Sequence, residues 1–294
     1  MTDRELADET WYWYLNGKNK VGFPKEFDRR LQTLQHFFDV LPGTPRCLEC
    51  HVPLGGAGAW ATKPFGFRHS VLTPRLCNRC EKMILATEGG AEVELTLLFA
   101  DIRGSTSMAE QQAAIQYKDF IQRFYKTAAQ VLIERNALVN RLVGDQAIGL
   151  FVPRFAGANH AGVAIEAALD ILRATGHAGP GGPWAPVGIG IHTGSAYVGA
   201  VGSKDGVTEI AVLGNAANLS ARLSSKAAKG EVLISEQAAA LAHLGEPGME
   251  KRRLTLKGIS KPVPVRVITV TPPQPVGSIV QLAKPRRATR KGAA

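Results

Sequence analysis

The chain has 294 residues, a formal net charge of +10 and 45% hydrophobic residues. This composition excludes a wholly disordered or collagen-like chain, and the length suggests about two domains. No apolar run reaches the roughly 18 residues that a membrane helix needs. The acidic N-terminus, MTDRELADET, is unlike a signal peptide. We therefore expect no transmembrane segment and a cytoplasmic location.

Residues 1–44 are predicted to form a helical segment. Apolar side chains recur there at helical spacing, at Phe27, Leu31, Leu34, Phe38 and Leu41. A dense aromatic cluster, WYWY from Trp11 to Tyr14, precedes them. We expect these rings to pack the segment onto the rest of the protein.

Two C-x-x-C pairs lie in residues 45–90, where glycines and prolines forbid long regular elements: Cys47, Cys50, Cys77 and Cys80. A segment with so small a hydrophobic core needs a disulfide or a bound metal to stabilise its fold. Without a secretion signal, a metal site is favoured over disulfides. Four thiolates suit one structural zinc in a zinc-ribbon-like module, and an iron–sulfur cluster is the alternative. Nearby arginines keep a nucleic-acid-binding ribbon open as a different function: Arg68, Arg75 and Arg79.

From residue 91 to residue 270 the sequence alternates strands with helices. The predicted strands are 93–100, 137–142, 147–152, 187–191, 196–201, 210–213, 253–257 and 263–270. A long helix is predicted to begin at the capping box of Ser107 and Glu110, and two more cover 158–174 and 216–226. A tight turn is expected between 187–191 and 196–201. Helices over a mostly antiparallel sheet indicate an α+β fold, a ferredoxin-like sandwich.

The chain ends in a charged stretch. Residues 271–294 are predicted to be a Pro-rich linker and a basic, disordered tail. Five cations lie in its last eleven residues: Lys284, Arg286, Arg287, Arg290 and Lys291. Because a charge run is usually solvated, nucleic acid or an anionic membrane bound by this tail is the weaker alternative.

Two acidic turns form the first candidate site. In FADIRGST a predicted strand ends at Asp101, and the backbone N–H groups of 102–106 can face a phosphate. In RLVGDQAIGLF, Asp145 sits at a hairpin tip. If the hairpin pairs beside the first strand, the two carboxylates converge and repel each other unless a cation lies between them. Such oxygen ligands suit a Mg²⁺ or Mn²⁺ ion that carries a triphosphate. The alternative is that both aspartates belong to ordinary turns that bind no ligand.

A third motif, LGNAANLSARL, places Asn218 and Arg222 four residues apart on one helical face. An amide and a guanidinium there can orient a sugar and neutralise an oxyanion, or belong to a solvated helix face. In TLKGISKPVPV, Lys257 precedes a glycine turn. It can reach a terminal phosphate or be an ordinary surface lysine.

Together with GIGIHTGSAYVGAVGS, these segments in this order resemble the catalytic domain of class III nucleotidyl cyclases, the bacterial adenylate and guanylate cyclases. The resemblance covers residues 91–270. It implies a homodimer whose active sites are shared across the interface, and a nucleoside triphosphate substrate. The product would be the 3′,5′-cyclic nucleotide with release of pyrophosphate.

The resemblance also implies roles for single residues. Two Mg²⁺ or Mn²⁺ ions per site would be held by Asp101, Asp145 and the carbonyl of Ile102. The turn and helix start after them would bind phosphate through Gly104, Ser105 and Thr106. From the other subunit, Asn218 would orient the ribose and Arg222 would stabilise charge on the α-phosphate. Lys257 would hold the triphosphate.

The two positions that select the base depart from the family pattern. Arg141 stands where the family commonly has Lys or Glu, and Ala211 stands where adenylate cyclases commonly have Asp or Thr. Arginine only donates hydrogen bonds, so it suits adenine N1, a pyrimidine carbonyl or guanine O6 and N7. We favour ATP, with a pyrimidine or guanine nucleotide, or a nucleotide-sensing pseudocyclase without turnover, as alternatives.

Overall fold

The computed structural model of the chain describes residues 2–17, 25–70, 73, 75–202, 208–245 and 249–270. The predicted tail, 271–294, lies outside these ranges. In the N-terminal ninety residues the described helices are α1 (Asp3–Asn16), α2 (Lys25–Asp39), α3 (Gly56–Thr62) and α4 (Asn78–Leu85). No helix within the described ranges is long and apolar enough to cross a membrane.

The rest of the chain alternates strands with helices. Its elements are β1 (Gly90–Ile102), α5 (Ser105–Gln111), α6 (Ala114–Glu134), β2 (Leu138–Val143), β3 (Gln146–Phe151), α7 (Pro153–Ala156), α8 (His160–Ala174), β4 (Val187–Gly202), β5 (Thr208–Leu213), α9 (Asn215–Lys226), β6 (Glu231–Ser235), α10 (Glu236–Leu241), β7 (Glu250–Leu254) and β8 (Val263–Thr269). The mixture of helices and sheet agrees with the predicted α+β class.

One sheet runs through this part of the molecule. Its described strands follow the order β2-β3-β1-β4-β6-β8-β7, and β5 pairs with β4 outside this path. All pairs are antiparallel except β4 with β6. The sheet is therefore mostly antiparallel, as the sequence predicts.

The two faces of β1 are both buried, and alternate residues serve different clusters. Leu98 and Ala100 pack with α6 and α8 on one face. Leu97 and Phe99 face the other side, in a cluster that also contains Trp11 of α1 and the four cysteines. This alternation follows from the two-residue period of a strand. The strand β1 therefore lies between the two apolar clusters and contributes side chains to both.

The predicted elements need four corrections. The stretch Val187–Gly202 is one continuous strand, β4, without a tight turn, because residues 192–195 stay in register with 94–97 of β1. The helix predicted from Ser107 is two helices, the first beginning at Ser105 after the left-handed Gly104. The sequence pattern did not predict β6, α7 and α10, and it placed β7 about three residues late. The fully apolar β6 has no alternation to reveal it.

The N-terminal aromatic cluster packs against the sheet. Trp11 and Tyr14 are buried, and the Trp11 indole N–H donates a 2.9 Å hydrogen bond to the carbonyl of Thr87. The Asp8 carboxylate accepts a 3.0 Å hydrogen bond from the N–H of Gly90, at the start of β1. These contacts tie α1 to the strand that carries Asp101.

We expect Trp11→Ala to lower the free energy of unfolding by about 3–5 kcal/mol, because it removes a buried ring and its hydrogen bond. The matched control is Trp60→Ala, whose ring is 81% exposed. That change should stay within about 0.5 kcal/mol of the parent. Urea denaturation of both variants checks this, and equal losses would contradict the packing described.

Candidate active site

The two acidic turns lie side by side at one edge of the sheet. Asp101 is the Cα partner of Gln146 on β3 and of Gly188 on β4. The N–H of Ile102 donates a 3.1 Å hydrogen bond to the carbonyl of Asp145. Strand register and this hydrogen bond therefore place the backbones of Asp101 and Asp145 side by side.

Neighbouring polar groups hold the Asp145 turn. The Ser105 hydroxyl donates a hydrogen bond to Asp145 Oδ2. The Tyr125 hydroxyl donates a 2.8 Å hydrogen bond to the carbonyl of Gly144. Burial, together with the charge of Asp145, raises the pKa of Tyr125, so its hydroxyl stays a donor at neutral pH. Tyr125 was not identified as a site residue from the sequence, because an aromatic residue on an apolar helix face predicts a core position.

Asp101 is the residue of the site that most needs a cation. It is only 7% exposed, and its Oδ1 has no hydrogen-bond partner among the described residues. Its Oδ2 forms an ion pair with Arg103. A buried carboxylate oxygen without a partner is costly. Asp101 and Asp145 thus fit the oxygen-ligand set of a Mg²⁺ or Mn²⁺ site.

The turns beside these carboxylates are open. Gly104 and Gly144 both have positive φ, +74° and +64°, and a Cβ built at either position meets no atom within 4 Å. Thr106 is exposed at the start of α5, whereas Ser105 is buried. No described side chain therefore covers these two glycines, which border the carboxylates.

A second group of predicted residues gathers around α9. Asn218 is exposed and Arg222 half-buried, one turn apart on the helix. A Cβ built at Gly258 would lie 3.3 Å from Arg222 Nη2, so the guanidinium rests against the Lys257–Gly258 turn. Lys257 itself is exposed. The structure thus brings Arg222 to the Lys257 turn.

Close packing fixes the orientation of α9. The Ser220 hydroxyl lies 3.0 Å from the carbonyl of Leu97 and 3.2 Å from that of Gly190. A Cβ at Gly190 would lie 2.2 Å from the Ser224 nitrogen, so only glycine permits this approach. Because Ser220 faces the sheet, Asn218 and Arg222 are left on the outer side of the helix.

Ala211 lines an apolar pocket of about 240 Å³. Its other lining residues come from four elements and are Leu97, Phe99, Ile148, Ile210, Val212, Leu213 and Ala217. Ala217 precedes Asn218 in the chain. Arg141 is the Cα partner of Ile148 across the hairpin, although its side chain lies outside the described part of the structure. Strand register thus sets residue 141 opposite Ile148, which lines the same pocket as Ala211.

The four cysteines form a buried cluster. Their sulfur atoms all lie within 4.8 Å of one another, and Cys50 Sγ lies 3.7 Å from Cys77 Sγ. A tetrahedron of thiolates at about 2.3 Å from zinc has edges of about 3.8 Å. Hydrogen bonds lower the pKa of the Cys47 thiol, and the one with Cys50 has a larger effect than the one with Cys77. The donor set therefore fits a thiolate-bound metal ion.

An ion pair beside this cluster was not found from the sequence. Glu49, between two of the cysteines, is 1% exposed and lies 2.6 Å from Arg154 Nη2 of α7. Burial raises the pKa of Glu49 to about 8, and the charge of Arg154 opposes this rise. Arg154 also donates a 3.1 Å hydrogen bond to the carbonyl of Trp13. Its two partners are more than a hundred residues away in the sequence, so no local pattern predicts the contact.

His192 is a core residue. It is 7% exposed, and its Nδ1 lies 2.9 Å from the Ser235 hydroxyl. Burial lowers its pKa to about 4, so the ring is neutral near pH 7.

Comparison with known proteins identifies the family. Residues 90–263 match the adenylate and guanylate cyclase catalytic domain, and the chain belongs to this family of lyases. An adenylate cyclase from Anabaena cylindrica is 31% identical over 148 residues, which are 48% of this chain and 29% of that protein. The chain therefore spans about three tenths of that relative's length. The cysteine cluster lies before the matched region.

Solved structures show the same fold. The adenylyl cyclase CyaB from P. aeruginosa has a TM-score of 0.53 and 26% identity, covering 61% of this chain and 95% of that chain. The guanylyl cyclase Cya2 has a TM-score of 0.55 and 24% identity, covering 64% of this chain and 96% of that chain. The predicted resemblance to cyclases and the predicted fold class are confirmed.

Proposed function

We propose that this nucleotidyl cyclase domain converts a nucleoside triphosphate, with ATP favoured, into its 3′,5′-cyclic nucleotide and pyrophosphate. The observation that carries the proposal is that a hydrogen bond from Ile102 to the Asp145 carbonyl joins the two aspartate turns, while one buried Asp101 oxygen has no hydrogen-bond partner among the described residues. The open glycine turns beside them leave room for a triphosphate.

In the proposed reaction the ribose 3′-oxygen attacks the α-phosphorus, and the bond to the oxygen bridging the α- and β-phosphorus breaks. Pyrophosphate leaves and the hydroxyl proton passes to solvent. Two Mg²⁺ or Mn²⁺ ions, when bound, lower the hydroxyl pKa and neutralise phosphate charge. Asp101, Asp145 and the Ile102 carbonyl hold these ions. Ser105 keeps the Asp145 carboxylate oriented through its hydrogen bond.

Groups from the turn and from α9 position the substrate. We assign phosphate binding to Gly104, Ser105 and Thr106, which follow Asp101 at the start of α5. Lys257 contacts the terminal phosphates. Arg222, resting against the Lys257–Gly258 turn, stabilises the charge that builds on the α-phosphate. Asn218 orients the ribose.

We further propose a homodimer in which each site is shared. Within one protomer the Asp101 and Asp145 turns lie beside β3, whereas Arg222 of α9 rests against the Lys257–Gly258 turn. A site made from the carboxylates of one protomer and α9 of its partner would use both groups. Twofold symmetry then gives two equivalent sites.

ATP is favoured by the chemistry of Arg141, which can donate to adenine N1. Ala211 adds only an apolar wall to its pocket, which also suits a flat base. Cyclisation of a pyrimidine nucleotide or GTP is compatible with the same donor. Binding without turnover would instead identify a nucleotide-sensing pseudocyclase.

Replacing Asp145 by alanine should abolish turnover, because a metal ligand is lost, and should leave the dimer intact. Purified protein is incubated with Mn²⁺ and ATP, GTP, CTP or UTP separately, and cyclic products are measured by mass spectrometry. Asp119→Ala, at an exposed residue of α6 paired with Lys118, is the control and should keep parental activity. A fully active Asp145→Ala protein, or one that is monomeric, would refute the assignment.

The shared site is tested by mixing two inactive variants, Asp145→Ala and Arg222→Ala. In a heterodimer both lesions fall in one site and the other site is intact. A 1:1 mixture after subunit exchange should therefore recover about a quarter of parental activity. Product formation by the mixture is compared with that of each variant alone. If heterodimers are verified and the mixture recovers no activity, the proposal of a site shared between protomers is contradicted.

We assign one zinc ion per chain to the four cysteines. Elemental analysis of the purified protein should find about one zinc and no iron. Chelation should expose residues 45–90 to protease first, because this loop-rich segment depends on the metal for its fold. Cys77→Ser should lower the zinc content and show the same cleavage. Visible absorption of an iron–sulfur cluster, or unchanged protease sensitivity after metal removal, would overturn the assignment.

A further inference from the structure

We propose that Arg103 is a positioning residue that acts as an internal counter-cation for Asp101 and couples cation binding there to α9. The proposal rests on the proposed function, because it takes Asp101 as a ligand of a divalent cation. Arg103, between Ile102 and Gly104 of the FADIRGST turn, was not among the predicted site residues.

Arg103 is fixed at several points. Its backbone N–H donates a 2.7 Å hydrogen bond to the carbonyl of Pro186. Its Nη2 forms an ion pair with Asp101 Oδ2, and its Nη1 donates a 3.0 Å hydrogen bond to the carbonyl of Ser225. The side chain of Arg103 is 23% exposed and that of Asp101 is 10% exposed. This pair is therefore largely shielded from solvent.

The pair limits how Asp101 can bind a cation. Arg103 occupies one carboxylate oxygen, and Oδ1 has no hydrogen-bond partner within the described ranges. A divalent cation at Asp101 would lie within a few ångströms of the guanidinium, in a setting where like charges repel strongly. Cation binding must therefore weaken or displace the Arg103–Asp101 pair. Without Arg103, the buried carboxylate would have no counter-charge and would hold a cation more tightly.

The other contact of Arg103 leads to α9. Ser225 lies three residues after Arg222 on the same helix, and its carbonyl is held by Arg103 Nη1. One guanidinium thus contacts both the carboxylate that serves one active site and the helix that, in a shared-site dimer, serves the other. A shift of Arg103 on cation binding changes a hydrogen bond at the end of α9.

The first test measures Mn²⁺ binding to the full chain, without nucleotide, by the loss of the free-ion electron paramagnetic resonance signal. Asp101→Asn should remove the site. Arg103→Gln and Arg103→Met should bind Mn²⁺ about tenfold more tightly than the parent, because the competing charge is gone. Arg103→Lys should resemble the parent. Arg173→Gln, at an exposed arginine paired with Asp170, is the control and should also match the parent.

The outcomes separate this inference from the proposed function. If Asp101→Asn abolishes binding but both neutral Arg103 variants bind like the parent, Arg103 is not a counter-cation and the inference fails alone. If Asp101→Asn binds Mn²⁺ normally, the proposed metal site itself fails. Two neutral variants are used because, if one of them does not fold, the other still tests the inference.

The second test follows the link to α9 by hydrogen–deuterium exchange. Mn²⁺ should change the exchange of peptides covering 215–226 in the parent and in Arg103→Lys. The same peptides should not respond in Arg103→Gln. A response in Arg103→Gln equal to that of the parent, or no response in the parent, would overturn the coupling.

Discussion

The register of β1 between β3 and β4 is the constraint on which the candidate site depends. Antiparallel pairing along its thirteen residues sets Asp101 opposite Gln146, and hence beside Asp145, before any metal or nucleotide is considered. The turns that bear the two aspartates cannot move apart without breaking the ladder. The fold therefore keeps two acidic residues close together, where a positive charge is stabilising.

Asp101 has Arg103 as one source of positive charge, and the proposed divalent cation would be a second. The guanidinium belongs to the same turn as the carboxylate, so it stabilises the folded chain in the absence of metal. In the proposed reaction a divalent cation would bring substrate phosphates with it. Replacement of Arg103 by that cation would then give a site that is stable when empty and reactive when loaded.

Much of the fold and site could be predicted because their determinants are local. The FADIRGST and LVGD turns and the Asn218–Arg222 spacing are each contained in about ten residues. The C-x-x-C pairs likewise predicted the sulfur cluster that the structure contains. Contacts between distant segments could not be predicted. The pairing of Glu49 with Arg154 and of Arg103 with Ser225 depends on tertiary packing, and the apolar β6 strand gave no periodic signal.

The apolar cluster shared by α1, the cysteine loops and one face of β1 has a practical consequence for dissecting the molecule. Residues 90–263 match the family, yet Leu95 and Leu97 of that region are covered on one side by a cluster that includes Trp11, Tyr14 and the cysteines. A fragment cut at the start of the matched region would present a broad apolar surface to water. Such a fragment would be prone to aggregate. Loss of activity on truncation would therefore be explained by poor solubility and would not show that the N-terminal part regulates the enzyme.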